Sequence, residues 1–252
     1  MIKFIKNSEL DNERFSQILT PIDTKLDGFD FRNLVVKKPW GYEYLFYEDD
    51  LVSAWILHIK SGSLTSMHCH SDKKTALLVL QGEAVFSTLN EGMCLKESQG
   101  VVLEKRVFHS TQAISENELI VIEVETPPRK TDLIRLVDSY GRELKGYEAQ
   151  SEMSKELETF SYKFISKEEA GIAKQVGNMS LSLEKVNNEN IKNILGREGI
   201  AIVLDGKIRN AKTRADFSVG DILHLKEGDV NELKVESEAK LIKINHPNQY
   251  VK

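Results

Sequence analysis

The stretch GSLTSMHCHSDKKTALLVLQG (62–82) sets two histidines one residue apart just ahead of an apolar run that a glycine closes. Successive side chains on a strand alternate faces, so His68 and His70 point one way and Cys69 the other. At the usual rise per residue the two imidazoles lie roughly 6–7 Å apart along the strand. They can share one ion if a third ligand arrives from another strand. His109, in EKRVFHST (104–111), supplies it. The chain has six histidines, and three of them fall in these two segments, both flanked by strand-like sequence. The pattern predicts a metal site inside a small β-barrel.

Outward from this stretch, short apolar or alternating runs follow one another from Leu34: NLVVKK, YEYLFYE, VSAWILHIK, TALLVLQG, EAVFSTL, GVVLEK and ELIVIEVE. Turns rich in Gly, Asp, Asn and Ser separate them. No helix-length connection lies between them, so an all-β sandwich or barrel is expected rather than a parallel βαβ sheet. Residues 1–33 form a lead segment in which NSELDNERFSQIL (7–19) reads as a short helix started by Asn7 or Ser8, and PIDTKLDG (21–28) as loop. The polar stretch after IVIEVETP reads as a connector around the barrel, with a helical turn near residues 151–158.

A second half then repeats the first. IAIVLDGKIRNAKTRADFSVGDILHLKEGD lines up with ALLVLQGEAVFSTLNEGMCLKESQGVVLEK, with Gly206 and Gly220 in the places of Gly82 and Gly100, and LIKINHP matches IVIEVETP. The spacing of His68 and His70 falls on Lys192 and Ile194, and that of His109 near residues 229–231, so the second copy has lost the ligands. His224 and His246 have no partner at ligand spacing and read as structural or surface residues. The expected division is a lead segment (1–33), a metal-binding domain (34–148) and a degenerate second domain (149–252).

Composition narrows the function classes. At 252 residues, 40% apolar and 29% charged, with a formal net charge of −5, the chain is long enough for a sizeable core and carries no basic block of the kind nucleic acid requires. Lys3, Lys6 and several acids break the N-terminal stretch before it reaches signal-peptide length, and no segment approaches the ~18–20 apolar residues of a membrane span. The expectation is a cytoplasmic protein with neither nucleic-acid nor membrane partners. Cys69 and Cys94 give no disulfide framework.

At these residues the chain resembles the cupin superfamily. Gly62, His68, His70 and Gly82 meet its first motif, and Gly100 and His109 meet its second loosely. KPWGYE (38–43) and DLIRLVDSYGR (132–142) resemble the entry and exit of the cupin domain of type II mannose-6-phosphate isomerases, over about residues 34–148. The resemblance implies two cupin-type barrels of double-stranded β-helix (jelly-roll) form, the second degenerate, and a homodimer. The sequence also departs from the family: Lys74 or Thr75 stands where cupins usually supply a glutamate, and Glu104 and Arg106 stand where a proline and a glycine precede the second motif's histidine. Isomerisation of mannose 6-phosphate itself is therefore not carried over.

The candidate metal ligands are thus His68, His70 and His109. Three neutral imidazoles without a carboxylate suit Zn²⁺, Fe²⁺, Ni²⁺ or Mn²⁺ with a position left open. Glu104 enters either as a fourth ligand and proton carrier or as a solvated turn acid. Lys73 and Lys74 form either a solvated turn or an anchor for a substrate phosphate or carboxylate, with Lys74 at the place of the missing glutamate; Arg106 has a similar claim. Arg142, in the matched YGR, suits an anionic sugar or packs the barrel end. His58 is a wall residue or an ordinary core or surface histidine, and Trp40 and Tyr42 either close the barrel or touch substrate. The function expected first is a metal-dependent isomerase or epimerase acting on a phosphorylated or nucleotide-linked sugar, as in surface-polysaccharide synthesis. A three-histidine iron dioxygenase and a non-catalytic sugar-binding module stand as alternatives.

Overall fold

The computed structural model describes residues 1–18, 26–143, 145–196, 199–226 and 228–246. Its elements run β1 (Ile2–Ile5), α1 (Glu9–Gln17), β2 (Val35–Lys38), β3 (Gly41–Glu48), β4 (Ser53–Ile59), β5 (Met67–Cys69), β6 (Lys74–Gln81) and β7 (Glu83–Thr88). They continue with β8 (Gly92–Lys96), β9 (Gly100–Leu103), β10 (His109–Ala113), β11 (Leu119–Thr126), β12 (Ile134–Val137) and β13 (Met153–Ser154). The later part of the chain adds β14 (Lys174–Val176), β15 (Met179–Val186), α2 (Ile191–Leu195), β16 (Gly199–Asp205), β17 (Ile208–Asn210), β18 (Asp216–Phe217), β19 (Ile222–Leu225), β20 (Leu233–Val235) and β21 (Ala239–Asn245). The chain is all-β, as expected. Among the described residues no helix is long and apolar enough to cross a membrane.

The chain divides into two compact units, Lys3–Phe164 and Met1–Ile2 with Ile165–Lys252. The boundary expected after residue 148 therefore falls inside the first unit. The reason is visible in β13, which pairs with β2 and ties the connector back onto the first sheet. That connector carries two short helical turns, Gln150–Glu152 and Leu157–Thr159, where one was expected. The loop expected over residues 21–28 lies mostly outside the described residues.

In the first unit an eight-stranded sheet, ordered β1-β9-β6-β11-β4-β3-β2-β13, faces a five-stranded one, ordered β12-β5-β10-β7-β8. Alternation sends Leu57, Leu77 and Val121 of the large sheet inward to meet Ala84, Phe86 and Ala113 of the small one. Each such aliphatic side chain, taken fully out of water, stabilises by about 1.5–3 kcal/mol. Along β11 the inward row changes character: Leu119 and Val121 are apolar, whereas Glu123 and Glu125 are charged and still buried. The barrel is therefore filled at one end and polar at the other.

Helix α1 begins where the sequence placed it. Ser8 is the N-cap, its hydroxyl accepting from the Asp11 N–H while the Asp11 carboxylate accepts from the Ser8 N–H. The same Asp11, buried, accepts from the Phe108 N–H at 3.0 Å, which ties the helix to the residue before His109. Of the lead segment, β1 pairs at the edge of the large sheet and Phe31 lies in the core.

The second unit repeats this plan. In the first unit β6 lies between β9 and β11, and β11 pairs onward with β4; in the second β16 lies between β19 and β21, and β21 pairs onward with β15. Gly82 and Gly206 close β6 and β16 with φ of +84° and +81°. At Gly82 a Cβ would lie 2.7 Å from Ser115 Oγ, and at Gly206 2.7 Å from the Glu238 carbonyl, so both turns need glycine. The correspondence fails at the ligand strand: Lys192 and Ile194 lie on α2, a short helix whose Ile191 and Leu195 pack into an apolar core.

Candidate metal centre

Strand register builds the site. His68 on β5 pairs with His109 on β10, and Arg135 on β12 pairs with His68, so these three side chains share one face of the small sheet. His70 follows β5 directly and has the same parity. Cys69 points the opposite way, into a cluster with Phe108 and Ile134 on which Phe15 packs. Burial, chiefly, raises its thiol pKa far above the usual range, so it is an inert core residue.

The imidazoles converge. Ring centroids lie 4.4 Å apart for His68 and His109, 5.1 Å for His68 and His70, and 5.5 Å for His70 and His109. Each Nδ1–H donates to a backbone carbonyl: His68 to Ser66 at 2.8 Å, His70 to Asp132 at 2.6 Å and His109 to Val107 at 3.0 Å. That fixes one tautomer, leaving each Nε2 as the bare lone pair. His70 Nε2 and His109 Nε2 are buried without any hydrogen-bond partner. Burial, first of all, lowers the pKa of all three rings, that of His109 to about 4, with the Lys73 cation adding to the effect on His70. The rings are therefore neutral near pH 7, the form that binds a metal.

A carboxylate completes the group, and it is not Glu104. His68, His70, His109 and Glu123 each offer a ligand atom within 4.8 Å of the others. Four buried donors with orphaned nitrogens fit a divalent transition metal, and the expected all-imidazole set is corrected to three histidines and a glutamate. Glu104 is exposed where β9 ends and turns away from the interior. Among the described residues this is the one histidine, cysteine and carboxylate cluster of its kind. In the alignment of the two halves Lys243 stands in the place of Glu123.

Behind the ligands lies a buried network of charges. Lys130 Nζ lies 3.3 Å from Glu43, 3.5 Å from Glu123 and 3.4 Å from Glu125, and its cation sits 4.0 Å from the centre of the Trp55 ring. Lys73, 1% exposed, pairs with Glu125 Oε1 at 3.0 Å. Burial would raise Glu43, but Lys130 and Lys38 overcome it and hold the carboxyl near 2. Glu123 goes the other way: burial outweighs Lys130, Glu125 adds to it, and the pKa rises to about 7.

The remaining sequence candidates are sorted by strand parity. Lys74 shares the outward parity of Ala76 and Leu78 and does not line the cavity, so the interior lysine is its neighbour Lys73. Arg142 does reach the cavity wall, where Asp138 (2.7 Å) and Glu148 (2.6 Å) hold its guanidinium. Arg106 lies over the Phe15 ring, away from the site. His58 faces outward, stacked on Tyr42 at 4.3 Å and 3.1 Å from Glu118. Trp40 lines the cavity as well as packing in the core, while Tyr42 lies on the outer face.

Asp132, the first residue of DLIRLVDSYGR, was not foreseen. Fully buried, its carboxylate accepts from the Ser71 N–H (2.8 Å) and hydroxyl (2.6 Å), the Asp72 N–H (2.9 Å) and the Lys73 N–H (3.2 Å), while its carbonyl holds His70. It pins the turn that carries one ligand and the buried lysine.

No family model matches the chain, and no curated protein matches it in sequence. Among solved structures it is similar in part to KdgF from Halomonas sp., at 20% identity over 36% of this chain and 84% of that one, with a TM-score of 0.35. It is similar to a cupin-like protein from Thermotoga maritima at 18% identity over 41% and 81%, with a TM-score of 0.36. Likeness to the capsular polysaccharide assembling protein CapF from Staphylococcus aureus reaches 18% identity and a TM-score of 0.37, over 41% of this chain and 34% of that one. Each of these likenesses covers less than half of this chain.

Proposed function

We propose that this chain is a metal-dependent isomerase or epimerase acting on a phosphorylated or nucleotide-linked sugar. The observation that carries the proposal is the convergence of three tautomer-locked imidazoles and Glu123 in a buried cavity whose other wall is a set of paired lysines and carboxylates. His68, His70, His109 and Glu123 would hold the ion, which when bound polarises a carbonyl and so acidifies the neighbouring C–H. Glu125 is the candidate base. Lys73 and Lys130 orient its Oε1, and its Oε2, buried without a hydrogen-bond partner, is free to accept a proton from substrate and return it. Glu43, held near 2, is too weak a base for that task.

The two segments that resemble type II mannose-6-phosphate isomerases support a sugar substrate, because their residues Lys38, Glu43, Arg135 and Arg142 line this cavity. The dioxygenase alternative takes an all-histidine set that leaves three positions open; Glu123 as a fourth donor leaves one fewer for O₂ and substrate. The test is hydrogen exchange in D₂O: zinc- or manganese-loaded protein is incubated with aldose and ketose phosphates and nucleotide sugars, and the sugar C–H signals are followed by NMR. The proposal predicts loss of one C–H signal that Glu125→Gln slows at least about 100-fold while retaining the metal. No exchange with any of these sugars, or oxygen consumption on iron loading, would contradict it.

A further inference from the structure

Beside the histidine cavity, whose free volume is about 50 Å³, lies a second and larger one of about 690 Å³. The two share Lys38, Arg135, Arg142, Tyr147 and Glu148 as a common wall, so the larger is the outer room of the same site. Its charge is one-sided. Five cations line it, Lys37, Lys38, Arg135, Arg142 and Lys145, against two carboxylates, Glu148 and Glu152.

Those charges are only partly spent on one another. Lys38, Arg135 and Arg142 all converge on Glu148, with Arg135 at 3.1 Å and Arg142 at 2.6 Å. Arg142 is further neutralised by Asp138, and Lys38 by Glu43 at 3.2 Å. Lys37 and Lys145 are exposed and have no carboxylate partner among the described residues. The Arg135 side chain is 2% exposed; it donates to the Lys145 and Gly146 carbonyls and to Glu148, yet its Nε–H is buried without an acceptor. A buried guanidinium donor left unpaired costs free energy until a ligand oxygen meets it.

We infer that this outer room is a phosphate subsite, and that the substrate is a phosphorylated molecule whose phosphate stays between Lys37, Lys145 and Arg135 while its reacting end enters the histidine cavity. A single carboxylate would meet only one of the two unpartnered lysines, whereas a phosphate brings about −1.5 to −2 and three acceptor oxygens. The inference rests on the function proposed above and adds the class of group that anchors the substrate. A sugar monophosphate and a nucleoside-diphosphate sugar offer the same chemistry here.

The test is calorimetric titration of the full-length chain with inorganic phosphate and, separately, with UDP at low salt. It is run on the wild type, on a Lys37→Ala/Lys145→Ala variant, on a Lys37→Arg/Lys145→Arg variant and on His68→Ala. Phosphate is expected to bind the wild type and His68→Ala within about threefold of each other. Binding weakens about tenfold when both lysines are removed and returns with the arginine pair. UDP binding more than about tenfold tighter than phosphate assigns the anchor to a nucleotide sugar, and equal or weaker binding assigns it to a monophosphate. No phosphate binding to the wild type, binding unchanged in the double alanine variant, or binding lost in His68→Ala overturns the inference. Metal content measured on the same samples separates that failure from a failure of the metal site.

Discussion

At the scale of single residues the site is a contest between burial and charge. His109 is held near 4 chiefly by burial, against an ordinary 6.5, so between those values the unfolded chain binds the proton that the folded metal-free protein does not. Its contribution to stability is full above pH 6.5 and lost as pH falls through that window. Glu123 has the opposite sign: its pKa is raised from 4.5 to about 7, so the folded state holds the extra proton. That contribution is full below pH 4.5 and is lost as pH rises through 7. Glu123→Gln, which cannot ionise, should therefore raise the thermal midpoint of metal-free protein at pH 8, with the gain shrinking as pH falls and vanishing below pH 4.5, and should weaken metal binding. Scanning fluorimetry across that pH range checks the first effect; an unchanged or lowered midpoint at pH 8 would show that Glu123 bears no ionisation penalty in the fold.

At the scale of elements, the turn after β5 matters most, because it must present His70 and bury Lys73 at once. Asp132 satisfies four donors there. Asp132→Ala leaves buried N–H groups unpaired at about 1–3 kcal/mol each, so a loss of roughly 3 kcal/mol or more is expected in urea unfolding. Zinc affinity should fall by about 10–100-fold in a chelator competition. Wild-type zinc affinity in this variant would mean that the turn holds its shape without the aspartate. The HxH spacing was legible because strand parity alone fixes it, and Cys69 duly lies on the outer face. Glu123 was not legible. Strands such as β4, where all seven residues are buried, lose the polar and apolar contrast that marks an inward face. The surviving signal was chemical: two acids, two residues apart, inside the apolar IVIEVET had to find cations or an ion. Glu104 was favoured by its nearness in sequence to His109, a poor guide where a strand ends and the chain turns.

For the whole molecule, two copies of one sheet plan have diverged in their interiors. The first keeps a polar end with three histidines and paired charges; the second fills the matching space with Ala201, Val203, Leu223, Leu225 and Leu241 around α2. The repeat could be read from Gly82 and Gly206, whose backbone demands are alike, and from the shared strand order. That a helix would replace the ligand strand could not, since KNIL in that segment satisfies the helical and the extended pattern equally well. Among the described residues the second unit has no such cluster, and the chain should hold one ion.

Metal stoichiometry puts the convergence of His68, His70, His109 and Glu123 to the most direct test. Protein purified without chelator, and the same protein carrying His68→Ala and His109→Ala, would be compared by inductively coupled plasma mass spectrometry. The geometry predicts about one first-row transition metal ion per wild-type chain, and less than about a tenth of that in the double variant. A wild-type chain that holds no such ion after metal loading, or a double variant that retains it, would contradict the account.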